Sequence, residues 1–394
     1  MTIMVDFNSK YSVETELVRV EGNQDQYNAS SVPIYQSATF RQNRLDEMGK
    51  FDYTRSGNPT RTALQVHLAK LMKAKHCFVT SNGMSALDMI LKTCKAGSHI
   101  VAGDDLYGGS DRLLNLNIAT YGFHVSNVDT CDLAAFEAVL RPDTALVLIE
   151  SPTNPLIKIC DVRAIVKIVR EKAKNAVLVM DNTMLSPILC NPLDFGFDIV
   201  YESATKFLSG HHDMMGGAIA MRSDELAKAV FFNINACGAG LAPFESFLLL
   251  RGIKTMGIRV ERAQQNAIEL AKFLKSKGFS VNFPGLDPNC KSTVIFNSFA
   301  RGPGAVMSIH TGSVELSKTL VESTELFEIS VSFGSVESLI SMPAYMSHAS
   351  IKKEVRDQRG LPEDLIRISV GIEDIEDLKA DFENAITIAK FKKL

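Results

Sequence analysis

Between residues 61 and 250, short apolar runs alternate with stretches whose apolar positions recur at helical spacing. The runs are His76–Thr80, Ile100–Gly103, Ala145–Ile149, Ala176–Met180 and Ile199–Tyr201. Most are nearly continuous in Val, Ile or Leu, as strands buried on both faces of a parallel sheet require. Amphipathic stretches such as Ala164–Ala173 lie between them, and the alternation predicts an α/β domain with a mainly parallel sheet. After Arg251 the pattern changes. A long helical segment, Ile258–Lys277, precedes separated strands at Ala305–His310, Ile329–Phe333 and Ile366–Val370 and a final helix near Asp374–Phe391. This part reads as a smaller C-terminal α+β domain. Residues 1–60 carry little periodic hydrophobicity and read as an extended arm for which a neighbouring subunit is the natural resting place. The expected organisation is therefore an arm (1–60), an α/β domain (61–250) and an α+β domain (251–394).

The length of 394 residues suits one large unit plus a smaller one. A net charge of −3 implies no strong pull toward nucleic acid or a membrane surface. No apolar run approaches the ~20 residues of a membrane helix. The N-terminus lacks a signal-peptide pattern, so the sequon Asn28-Ala-Ser30 reads as chance. Seven scattered cysteines without a C-x-x-C pair read as free, buried thiols of a reducing compartment, placing the chain in the cytoplasm. The final Lys392-Lys-Leu394 is similar to the peroxisomal Ser-Lys-Leu address but departs from it at the first position.

Open parallel sheets bind ligands beyond the carboxyl ends of their strands. The first run is followed by Ser81-Asn-Gly83-Met84 and a helix. Such a turn offers backbone N–H groups and a positive dipole end to a phosphate, or is simply a helix cap. The fourth run ends in Asp181-Asn-Thr183. A buried carboxylate needs a partner, which a helix cap, an ion pair or a protonated pyridine nitrogen would supply. The fifth run leads into Glu202-Ser203-Ala-Thr205-Lys206. Lys206 is either a snorkelling surface lysine or a buried amine suited to imine chemistry, with Ser203 and Thr205 beside it as hydroxyl donors. Tyr107, after the second run, could stack on a planar ring or serve as a core tyrosine. Arg367, inside a strand, calls for an anion: a substrate carboxylate or an internal salt bridge. Together these residues meet the needs of pyridoxal 5′-phosphate (PLP) bound to an amino acid. There is no Walker A motif, and Gly238-Ala-Gly-Leu-Ala-Pro lacks the last glycine of a dinucleotide fingerprint. Adjacent His211 and His212 cannot easily share one tetrahedral metal, so no metal site is expected.

With these residues in view, the chain resembles the γ-subfamily of Cys/Met-metabolism PLP-dependent enzymes from about residue 30 to 390. The likeness rests on Tyr53-Thr-Arg-Ser-Gly-Asn-Pro-Thr60, Glu150-Ser-Pro-Thr-Asn-Pro155, Ser203-Ala-Thr-Lys206 and Met346-Ser-His-Ala-Ser350. It is nearest to the fungal β-eliminating members in Gly103-Asp-Asp-Leu-Tyr-Gly-Gly109. The resemblance implies the PLP-dependent transferase fold of the aspartate aminotransferase type. It implies that Lys206 carries PLP and acts as the base, with Tyr107 also catalytic and stacked on the ring. Asp181, with Thr183 beside it, would face the pyridine nitrogen, and Gly83, Met84, Ser203 and Thr205 would hold the phosphate. Tyr53 and Arg55 would reach the phosphate of a neighbouring subunit in a homotetramer of two dimers. Asn154, Ser332 and Arg367 would bind the substrate carboxylate region.

The implied activity is β-elimination of L-cystathionine to homocysteine, pyruvate and ammonia, feeding methionine synthesis. The alternatives are γ-elimination or γ-synthase chemistry, a β-lyase for other cysteine S-conjugates, or a non-catalytic scaffold on the same fold. γ-Lyases of the family carry glutamates where this chain has Asp52 and Val331, and methionine γ-lyases carry a cysteine where it has Gly109. Those departures favour β-elimination. Ser332-Phe-Gly-Ser335 also replaces the family's Ser-Leu-Gly-Gly. Arg112 would contact the distal end of the substrate or form a surface salt bridge.

Overall fold

A computed structural model describes residues 10–20, 25–349 and 353–392. Its strands, in chain order, are β1 (His76–Thr80), β2 (His99–Gly103), β3 (His124–Val128), β4 (Thr144–Glu150), β5 (Val177–Asp181), β6 (Ile199–Ser203), β7 (Gly217–Met221), β8 (Ser280–Asn282), β9 (Val306–His310), β10 (Glu328–Ile329), β11 (Leu339–Ser341) and β12 (Leu365–Ser369). The chain divides into two units, one of Met1–Ser98 with Val177–Gly257 and one of His99–Ala176 with Ile258–Leu394.

In the first unit the strands lie in the order β1-β7-β6-β5. β5 and β6 are parallel, whereas β7 runs antiparallel to both β6 and β1. All of β1 and β7 is buried, as the continuous apolar run of β1 requires. β7 was not legible in the sequence because Gly-Ala-Ile-Ala-Met is poor in β-branched and aromatic residues; burial between two strands overrides that weak propensity. The helix Pro59–Leu71 starts with Pro at its first position and Asn58 as its cap, whose side chain accepts from Thr60 N at 2.9 Å. Asn58 Nδ2 also donates to the Tyr35 carbonyl at 2.7 Å, which ties the arm to this helix. The arm itself contains a helix, Val13–Val18. Glu16 of that helix pairs with Lys70 at 2.9 Å, and the Leu17 carbonyl meets His67 Nε2 at 3.2 Å.

In the second unit β2 runs parallel to both β3 and β4, and a five-stranded sheet has the order β10-β11-β12-β9-β8. β3 escaped the hydrophobic reading because it is mostly solvated and polar. The expected strand Ile329–Phe333 is a correction: pairing covers only Glu328–Ile329. Ser332 has φ +92°, in the left-handed region that no extended strand tolerates, and the chain turns there. The long helix is Met256–Ser276 and the last one Ile375–Lys392. The cysteines are free, but the reading of all seven as buried is corrected: Cys131, Cys237 and Cys290 are exposed. Cys237 ends one helix and Cys290 caps another, positions that face water. No helix among the described residues is long and apolar enough to cross a membrane. Residues 393 and 394 of the C-terminal tripeptide lie outside the described residues.

Candidate active site

In the first unit, the ends of β1, β5 and β6 hold the residues expected to take the cofactor. The helix Gly83–Leu91 begins directly after β1, and its cap Asn82 accepts from Ser85 N at 2.7 Å. That leaves the earlier N–H groups of the helix start for an anion. Gly83 is required by contact. A Cβ there would lie 2.9 Å from Ser203 Cβ and 3.1 Å from Ser203 Cα, so only a bare backbone lets the helix start touch the end of β6. Ser203 N donates to Thr183 Oγ1 at 2.9 Å, and Thr205 Oγ1 accepts from Gly216 N at 3.1 Å. Lys206 sits half-buried in the turn that follows, its N–H on the Ser203 carbonyl at 3.1 Å.

Asp181 ends β5, level with Tyr201 of β6. Thr183 donates to Asp181 Oδ1 twice, from N at 2.9 Å and from Oγ1 at 2.5 Å. Burial raises the Asp181 pKa, against the hydrogen bonds from Thr183 and Tyr201 that favour the carboxylate. A second acid was missed in the sequence. Glu202 is 1% exposed, and Asn182 Nδ2 donates to its Oε1 at 2.8 Å. Burial and then the charge of Asp181 push Glu202 well above the ordinary carboxyl range, whereas its Asn182 bond acts the other way. Its signal was a carboxylate within an otherwise apolar strand, which costs free energy unless neutral or paired. The set fits PLP by its chemistry: a helix start flanked by hydroxyls for a phosphate, a hydrogen-bonded carboxylate for a ring N–H and an amine for covalent attachment.

Tyr53 and Arg55 lie on the arm. Tyr53 is 43% exposed, the Arg55 guanidinium stands 5.3 Å from its ring, and Arg55 Nε donates to Asn235 Oδ1 at 3.3 Å. The buried guanidinium of Arg61 holds the Thr54 and Arg55 carbonyls and so sets the backbone of this stretch.

In the second unit, Tyr107 caps the helix Gly108–Tyr121 and is 40% exposed. Its N–H reaches Glu150 Oε2 at 3.4 Å. Gly108 is packed so closely that a Cβ would lie 2.8 Å from the Ser347 carbonyl. Arg367 on β12 is 2% exposed. Nη1 donates to Asn154 Oδ1 at 3.1 Å and Nη2 to the Ser332 carbonyl at 2.5 Å. Nε has no hydrogen-bond partner, and no ion pair to Arg367 occurs among the described residues. The internal salt bridge weighed for Arg367 is thus not what the structure contains. Burial lowers its pKa to about 10, which nearby Tyr107 partly offsets. A buried guanidinium with one orphaned N–H and neutral partners is suited to an incoming carboxylate. Ser332 serves this group through its backbone carbonyl. Arg112 is exposed and forms no ion pair among the described residues, so the surface bridge weighed for it is absent there. Two further buried groups, Asp105 and His348, flank Tyr107 in this unit and were not singled out in the sequence. No group of three His, Cys, Asp or Glu among the described residues could hold a metal ion.

Comparison with known proteins agrees with this chemistry. The family profile described as Cys/Met metabolism PLP-dependent enzyme matches residues 14–387. The chain is 80% identical to a cystathionine beta-lyase of Schizosaccharomyces pombe, over 98% of each protein. It is 53% identical to one of Neurospora crassa, over 96% of this chain and 83% of that one. The solved structure of a cystathionine gamma synthase from Xanthomonas oryzae pv. oryzae, in complex with cystathionine, superposes with a TM-score of 0.94. That match has 36% identity and covers 97% of this chain and all of the other. The fold is the expected α/β fold of PLP-dependent transferases. From its strand-end chemistry and from these matches, the chain belongs to the Cys/Met-metabolism PLP-dependent enzymes.

Proposed function

We propose that this protein is a cystathionine β-lyase, splitting L-cystathionine into homocysteine, pyruvate and ammonia. The observation that carries the reading is the near full-length identity to the S. pombe cystathionine beta-lyase. The retained lysine, ring aspartate and carboxylate arginine support catalysis over a silent scaffold.

PLP, when bound, supplies a cationic ring that accepts the electron pair left at Cα. Lys206 would hold it covalently, and its Nζ, once free, would act as general base toward the substrate Cα proton. Asp181, oriented by Thr183, keeps the ring nitrogen protonated. Gly83, Met84, Ser203 and Thr205 hold the phosphate, which the helix start and the hydroxyl positions support. Arg367 binds the substrate carboxylate, with Asn154 and Ser332 fixing its guanidinium. Tyr107 stacks on the ring and exchanges a proton with the incoming amine or the departing thiolate. Arg112 meets the distal end of the substrate.

The exposed Tyr53 and Arg55 support an arm that completes the phosphate site of a neighbouring subunit, in a homotetramer of two dimers. Light scattering of the purified protein tests the assembly. Free cysteines support a reducing compartment such as the cytoplasm.

The decisive assay supplies L-cystathionine and identifies the keto acid. Pyruvate is expected; 2-oxobutyrate as the main product would overturn the reading in favour of γ-chemistry, the second reading that the gamma synthase likeness supports. Lys206→Ala should lose both covalent cofactor and turnover.

A further inference from the structure

Asp105 lies in the loop between β2 and Tyr107 and is 4% exposed. The mechanism above gives it no task, yet its carboxyl is tied to the chain beside Asn154. Leu156 N donates to Oδ2 at 3.3 Å, and the Thr153 side chain favours the ionised form of the same carboxyl. Asn154, between those two residues, is the side chain that receives Arg367 Nη1 at 3.1 Å. The same two loops are joined again where Tyr107 N meets Glu150 Oε2 at 3.4 Å. One buried carboxylate therefore sets the backbone from which the partner of Arg367 projects.

We propose that Asp105 is a positioning residue of the substrate-carboxylate site, holding Asn154, and through it Arg367, in register by its bond to Leu156 N. The inference rests on the assignment of Asn154 and Arg367 to that site. A charged acceptor holds its donor more firmly than a neutral one. The hold therefore weakens when Asp105 is protonated.

Burial pushes the Asp105 pKa up to about 6. The charges acting on it are Lys158, which favours the carboxylate, and Asp104, which opposes it. Lys158 also bridges to Asp104 at 3.3 Å and Asp129 at 3.1 Å. On the Tyr107 side the titratable neighbours are Glu150 and His348, whose ring is acted on by the Leu106 carbonyl.

The test uses the holoenzyme and Asp105→Asn, an imitation of the protonated acid. At about pH 8, KM for L-cystathionine should rise about tenfold while kcat stays within about threefold. Cofactor affinity, read by equilibrium dialysis, should not move. The difference in KM should close as pH falls through about 6, because the wild type then resembles the variant. A pH-independent difference, an unchanged KM, or an equal loss of cofactor affinity overturns the proposal. Binding of L-alanine, followed by cofactor absorbance, repeats the comparison without turnover. Equal affinity in both proteins defeats the positioning role even if cystathionine proves not to be the substrate. If Asp105→Asn does not fold, Asp105→Glu decides: it keeps the carboxylate but moves it by one methylene away from its place against Leu156 N, and the same selective rise in KM is required.

Discussion

Arg367 Nη1 donates to Asn154 Oδ1 at 3.1 Å across 213 residues of sequence, and this neutral amide stands where a carboxylate would cancel the buried charge. The arrangement leaves the guanidinium hungry for an anion. Asn154→Asp should fill that need internally. We expect KM for amino-acid substrates to rise by on the order of tenfold to a hundredfold, with no loss of thermal stability. Steady-state kinetics and a melting curve check both halves. A KM that stays put would mean that Arg367 does not receive the carboxylate.

The contact between Gly83 and Ser203 is equally specific. Gly83→Ala places a methyl 2.9 Å from Ser203 Cβ, so the helix start must move away from β6. Overpacking of this kind costs about 1–3 kcal/mol, and cofactor affinity should fall by on the order of tenfold as the N–H groups shift. Adding Ser203→Gly removes the 2.9 Å contact but leaves the one of 3.1 Å to Ser203 Cα, so it should restore part of the stability without restoring cofactor affinity, since the hydroxyl is then gone. Denaturant unfolding and dialysis of the single and double variants measure the coupling.

Glu202 makes stability depend on pH. Its folded pKa is raised well above the ordinary 4.5, chiefly by burial. The folded protein then holds a proton that the unfolded chain releases, so stability falls as pH rises from about 4.5 toward the folded pKa. Glu202→Gln removes that loss and keeps an acceptor for Asn182. The variant should melt higher than wild type at neutral and alkaline pH and equal it below about pH 4. Melting curves across that range decide; a variant less stable at every pH would show that Glu202 is ionised and paired.

Asp111 Oδ1 and Arg359 Nη2 meet at 2.6 Å with both side chains about 15% exposed, just beyond the Tyr107 cap. Asp111→Asn leaves a largely buried guanidinium without its counter-charge. A destabilisation of about 2 kcal/mol is expected, reduced from the fully buried case by the remaining solvent access. Cofactor affinity should change little, because the residues proposed to hold the phosphate, the ring nitrogen and the covalent attachment belong to the other unit. Urea titration of the holoenzyme and variant provides the measurement.

Strands buried on both faces, such as β1, β2, β4, β5 and β6, were readable because they must be continuously apolar, and polar chemistry can start only where they end. That rule alone located Gly83, Asp181, Ser203 and Lys206. β3 and β7 were hidden because one is solvated and the other is built of Gly and Ala, so neither carries the pattern. The turn at Ser332 was hidden because serine seldom takes a positive φ and nothing local demands it.

The sequence by itself thus determined the fold class and the order of strand-end groups, since those follow from burial and local spacing, and its motifs carried the resemblance to the family. Only the tertiary structure decided which partners complete the charges. Arg367 is met by an amide and a carbonyl rather than a carboxylate. Burial, with the charge of Asp181, raises the Glu202 pKa. Asp105 accepts from the Leu156 N–H, two residues past Asn154. Pairing and protonation depend on what surrounds a group in space, and these neighbours come from segments far apart in the chain.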